Sequence, residues 1–141
     1  MSATSNPIFL ANEEATAQFA IGVAKRVQLG EVIFLYGEVG SGKTTFARAF
    51  IKELCDTSEE ITSPTFSIVQ NYAMKNGKEL LHCDLYRLKN SHELLEIGIY
   101  DDIENRITLI EWPELIESEI PDALKISIDI DGDGRLVRIG G

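Results

Sequence analysis

Apolar positions change their spacing several times along the chain, and each change marks an element. Pro7 to Leu10 reads as a short strand. From Asn12, a residue suited to an N-cap, apolar side chains return at Ala15, Phe19, Val23 and Val27, with Ala20 and Ala24 beside them. This is the spacing of a helix, closed by Gly30. Val32-Ile33-Phe34-Leu35-Tyr36 is an unbroken apolar run, the pattern of a strand buried on both faces. Lys43 to Leu54 restores the helical period, with Phe46, Ala47, Phe50, Ile51 and Leu54 on one side. Residues 55–65 are polar, and Ser63-Pro64-Thr65 cannot continue a helix. Phe66 to Tyr72 and Glu79 to Tyr86 flank a turn containing Asn76-Gly77, which predicts an antiparallel hairpin. Ser91 suits the cap of a short helix through Glu96, and Ile107 to Glu111 forms a further strand. Lys125 to Asp131 and Arg135 to Ile139 flank Gly132-Asp133-Gly134 as a closing hairpin. No repeat interrupts this order, so residues 1–141 read as one α/β domain, three layers around a mixed central sheet with antiparallel hairpins.

Composition narrows the function more than the fold. With 44% hydrophobic and 26% charged residues the chain has the balance of an ordinary globular domain. Its net charge of −10 repels phosphate backbones and anionic membranes, so autonomous nucleic-acid binding is disfavoured. The excess is local: residues 91–141 hold 13 carboxylates against 4 Lys/Arg, while residues 1–90 hold 10 against 9. Cys55 and Cys83 have no ligand-like spacing, which predicts buried thiols in a reducing compartment rather than a disulfide or a zinc site. The polar stretch from Met1 to Asn6 has no signal-peptide character, and no apolar run approaches about 18 residues, so a cytoplasmic chain is expected. The sequence does not give the oligomeric state, for which a monomer is the default expectation.

Gly37-Glu38-Val39-Gly40-Ser41-Gly42-Lys43-Thr44 satisfies the phosphate-binding pattern G-x-x-x-x-G-K-[ST], between a buried strand and a helix start. Glycines there turn backbone N–H groups inward around phosphate oxygens, helped by the positive end of the helix. Glu38 through Thr45 are therefore the predicted phosphate loop, with Lys43 reaching the β- and γ-phosphates and Thr44 offering a hydroxyl to Mg²⁺. Asp84 and Glu111 each end an apolar strand and are the candidate carboxylates for the metal. Thr65 stands where a segment sensing the γ-phosphate belongs. His82 alternates into a strand and His92 lacks metal partners at useful spacing, so both read as core or surface histidines. Asp131-Gly132-Asp133-Gly134 matches the D-x-x-G of GTPases only formally and reads as a turn. No Asn-Lys-x-Asp or Thr-Lys-x-Asp guanine reader occurs, which argues for ATP over GTP. A small-molecule kinase is the alternative class, but no Arg-rich lid insertion is visible.

GEVGSGKTT from Gly37, Ser63-Pro64-Thr65-Phe66, the run from His82 through Leu88 and Glu111-Trp112-Pro113 together resemble the TsaE (YjeE) family, over nearly the whole chain. Cys83 departs from the aromatic residue more common there. The resemblance implies an ATPase, using ATP/ADP and Mg²⁺, that supports formation of threonylcarbamoyladenosine in tRNA while docked on the TsaB–TsaD pair. It further implies that Thr44 and Glu111 ligate Mg²⁺, that Asp84 supports the metal and the attacking water, and that Thr65 belongs to a switch-like loop. Glu13 and the turn at Gly134 are implied to frame the base or ribose.

Overall fold

A computed structural model describes residues 6–55, 69–90, 92–93 and 98–140. The strands are β1 (Ile8–Leu10), β2 (Val32–Tyr36), β3 (Val69–Ala73), β4 (Glu79–Asp84), β5 (Ile107–Glu111), β6 (Leu124–Asp131) and β7 (Gly134–Gly140). They form one sheet in the order β1-β7-β6-β2-β5-β4-β3. The middle is parallel, β2 pairing with β5 and β6, and β5 with β4. The margins are antiparallel hairpins, β3 on β4 and β7 on β6, with β1 added to β7. This is the expected mixed sheet, and the D-x-x-G segment is a hairpin turn closed by the Asp131–Gly134 pair.

Alternation along β2 divides the core. Ile33 and Leu35 face α1 (Glu13–Ala24) and α2 (Lys43–Leu54), where they meet Ala20, Phe46 and Phe50. Val32 and Phe34 face the other way, against Ile99, Ile116 and Ala123. Among the described residues that second layer is built from turns and from 3-10 helices at Ile103–Asn105, Pro113–Leu115 and Glu117–Glu119. Arg106 pins it: its buried guanidinium donates to the carbonyls of Gly98 and Ile99 at 3.0 and 2.9 Å. Cys55 and Cys83 are buried free thiols, pushed up by desolvation to about 11 and about 12. No helix among the described residues is long and apolar enough to cross a membrane.

Two boundaries differ from expectation by more than one residue. The first helix stops at Ala24 rather than running to Gly30. Its continuation is drawn off by other partners: the Arg26 N–H bonds back to Val23, the Gln28 N–H bonds to the Glu31 carboxylate, and the Gly30 N–H reaches Arg106 O at 2.9 Å. Strand β4 ends at Asp84 instead of Tyr86, because the Asp84 carboxylate accepts the Tyr86 N–H at 2.9 Å and turns the chain. The predicted helix from Ser91 through Glu96 lies largely outside the described residues, as do Phe66 to Ile68.

Asn12 is extended and its side chain accepts the Ala15 N–H at 2.9 Å, so it is the N-cap predicted for α1. Asn12→Ala is expected to lower unfolding free energy by about 1 kcal/mol in urea titration, whereas Asn12→Gly should cost only a few tenths.

Candidate functional site

The phosphate-loop motif leaves the sheet at the end of β2 and re-enters regular structure at α2. Gly37 is needed for packing: a Cβ there would lie 2.6 Å from the carbonyl oxygen of Ile128. Gly42 is needed for conformation, since it caps α2 at φ +109°. The two helix starts contrast. Helix α1 is capped by Asn12 and opens with Glu13 and Glu14, while α2 has no side-chain cap and no acidic residue in its first turn. The first-turn N–H groups of α2 are thus disposed toward an anion.

Parallel pairing brings the carboxylates to the same edge. Glu111 is the register partner of Leu35 on one side and of Asp84 on the other, one residue before the chain of β2 turns toward the loop. Val39, Gly40, Gly42, Lys43, Thr44 and Thr45 then line a cleft of about 690 Å³, a size suited to a nucleotide. Asp84, Glu111, Glu13 and Gly134 line its remaining walls. Glu38 and Ser41 stand outside the lining. The Ser41 N–H bonds to Glu38 O at 3.0 Å, which folds Ser41 under the loop, fully buried, and leaves Glu38 exposed. Thr65 lies outside the described residues.

Lys43 is only 6% exposed. Its ammonium donates to Gly37 O and sits 3.8 Å from the centre of the Trp112 ring, which in turn lies 4.8 Å from Tyr86. Desolvation holds the Lys43 pKa below the ordinary lysine value, against the pull of Glu111, Asp84 and Glu114. Desolvation raises the Asp84 carboxyl, with Glu111 adding to the shift, while the Tyr86 N–H bond, Lys43 and His82 oppose it. Trp112 has a left-handed backbone, φ +53°, an uncommon state for a bulky residue and one that clusters at functional sites.

Three contributors escaped the motif analysis. His82, read as a core or surface histidine, is buried and lies 2.6 Å from Glu111; its two-residue spacing from Asp84 was the available signal. Arg135 donates to Ser41 O at 2.8 Å, Gly40 O at 3.0 Å and Gly134 O at 2.7 Å, bracing the loop from the β6–β7 turn. Tyr86 flanks the cleft beside Trp112. Nothing in the local sequence marks the Arg135 contact.

The family model described as threonylcarbamoyl adenosine biosynthesis protein TsaE matches residues 10–137. A tRNA threonylcarbamoyladenosine biosynthesis protein TsaE from Rickettsia bellii is 36% identical over 141 residues, spanning 99% of this chain and 97% of its own. The Synechocystis protein of the same description is 40% identical over 119 residues, 81% of this chain and 74% of the relative. In three dimensions the chain is similar to Bacillus subtilis YdiB, with a TM-score of 0.78 at 29% identity, over 100% of this chain and 87% of that one.

The raised Asp84 pKa has a definite sign in stability. Its favourable contribution is present below the ordinary carboxylate range and is lost as pH rises through the folded-state value, so the ionised carboxylate destabilises the ligand-free fold at neutral pH. Asp84→Asn keeps an acceptor for the Tyr86 N–H and removes the charge. It should raise the urea midpoint at pH 7, with the gain closing as pH falls through the carboxylate range. A midpoint unchanged at pH 7 would mean that Asp84 is solvated as in water.

Proposed function

The chain belongs to the TsaE family, and from that premise we propose that it is a Mg²⁺-dependent ATPase that turns over ATP while docked on the TsaB–TsaD pair. Membership carries a role in threonylcarbamoyladenosine formation in tRNA. The observation that most supports the finer reading is the convergence of Lys43, Thr44, Asp84 and Glu111 on a cleft at the uncapped start of α2.

Each residue then has a task. Backbone N–H groups from Val39 to Thr45 cradle the phosphates, and Lys43 exchanges its contacts with Gly37 and Trp112 for the β- and γ-phosphate oxygens. Among the described residues no group of three or more His, Cys, Asp or Glu side chains forms a ready metal cage. Mg²⁺ takes one or two carboxylates and completes its shell with water and phosphate. The donor set is all hard oxygen: Thr44 hydroxyl and Glu111 carboxylate as ligands, with Asp84 beside them. When bound, Mg²⁺ would supply positive charge that offsets the charge developing on the phosphates. Asp84 and Glu111 orient the attacking water, and Thr65 is assigned the sensing of the γ-phosphate from its sequence context. Glu13 and Gly134, which also line the cleft, frame the ribose or base.

The charge pattern fits action on a protein complex rather than on RNA. The residues after position 90 carry a balance of −9, suited to docking against basic partner surface and unsuited to holding tRNA directly.

Trp112 supplies an intrinsic probe because its ring contacts Lys43. Its emission should change on saturation with Mg·ADP, and ATP should compete better than GTP. Lys43→Ala and Thr44→Ala are expected to weaken Mg·ATP binding about tenfold or more. Glu111→Gln should leave binding within about threefold and lower kcat by about 100-fold or more. Equal loss of nucleotide affinity in all three variants would remove the separate role given to Glu111. Hydrolysis no faster with TsaB–TsaD than alone would overturn the partner-dependent reading.

A further inference from the structure

His82 is fully buried, and its Nε2 lies 2.6 Å from Oε2 of Glu111, itself 2% exposed. The contact is diagonal across two strands. Register pairs His82 with Leu109 and Asp84 with Glu111, so alternation sets all three polar residues on the helix-covered face, with the imidazole one row deeper. The other ring nitrogen, Nδ1, is buried with no hydrogen-bond partner among the described residues. An ionised carboxylate oxygen can only accept, so in this contact the ring donates through Nε2–H to Glu111.

We propose that His82 is the positioning residue for Glu111: its Nε2–H holds one carboxylate oxygen so that the group presents a single orientation to the metal and the attacking water. The assignment rests on the ATPase reading above. His82 is fully buried and cannot itself reach the cleft's solvent, so its direct contact with the site is the bond to Glu111.

The test is a cycle in the full-length protein of His82→Leu, His82→Gln, Glu111→Gln and the double variant His82→Leu/Glu111→Gln. Hydrolysis is measured with TsaB–TsaD present, and ADP binding is followed through Trp112 emission with and without Mg²⁺. His82→Leu should lower kcat about 10- to 100-fold, the effect usual for partners of ligating groups. Its KM for ATP should stay within about threefold of wild type. Metal-free ADP binding should hold while the Mg²⁺-dependent gain in affinity shrinks. His82→Gln, whose amide N–H stands close to the place of Nε2–H, should recover most of the rate and the Mg²⁺ dependence. In the Glu111→Gln background, His82→Leu should cost nothing further. Losses that multiply in the double variant, or a wild-type rate in His82→Leu when Glu111→Gln is slow, would overturn the role of His82 alone. A wild-type rate in Glu111→Gln would overturn the role given to Glu111, and no ATP hydrolysis by the wild-type protein with TsaB–TsaD would overturn the ATPase assignment beneath it. Should His82→Leu fail to fold, His82→Gln still decides: a natively folded variant with both rate and Mg²⁺ dependence lost defeats the proposal.

Discussion

The parallel ladder that seats β5 between β2 and β4 is the constraint on which the site depends. Hydrogen bonding places Leu35, Glu111 and Asp84 in one row, although they come from three separated stretches of chain. The phosphate-loop motif departs from the sheet just beyond that row, so its glycines and lysine are delivered to two carboxylates without either being near it in sequence. Packing on both faces holds the row in place. Ile33 and Leu35 are clamped by α1 and α2, while Phe34 and Ile110 are covered by residues 98–120. Parallel strands bury both faces by construction, and this chain uses the property to hold a charged edge above an apolar interior.

Within that edge, desolvation governs the electrostatics. The same dryness that depresses Lys43 and raises Asp84 strengthens every polar contact made there. In the ligand-free arrangement the ammonium is satisfied by a loop carbonyl and an aromatic face. Both are weaker partners than a phosphate dianion, so the lysine is held in place without being locked. Trp112 keeps its left-handed backbone because Pro113 is buried immediately after it and Tyr86 packs against its ring.

Legibility from sequence followed locality. The phosphate-loop motif, the limits of α2 and the closing hairpin are written in consecutive residues, where propensity and turn chemistry act directly, and each was readable. Strand order was not, because which strand lies beside which is decided by packing between distant segments. The end of α1 was misplaced for a related reason: the Gly30 N–H goes to Arg106, a partner invisible in any local window. His82 was passed over since its significance comes from a carboxylate 29 residues away. Arg135 is the extreme case, its guanidinium bracing carbonyls 94 and 95 positions earlier. Asp84 and Glu111 could be singled out because each ends an apolar strand, and the register then sets them side by side on the cleft.

The shared face of His82 and Asp84 also bears on how the chain finds its fold. A strand paired one residue out of register turns every side chain to the opposite side. For β4, that slip would press an imidazole and a carboxylate into the apolar cluster of Val32, Phe34 and Ile110, and would lift Leu81 and Cys83 out of it. Burying unpaired polar and charged groups in such surroundings costs several kcal/mol, comparable to the whole stability of a small domain. The two residues therefore act as a key for strand alignment: mispaired molecules are disfavoured by the same groups that correctly paired ones set beside Glu111.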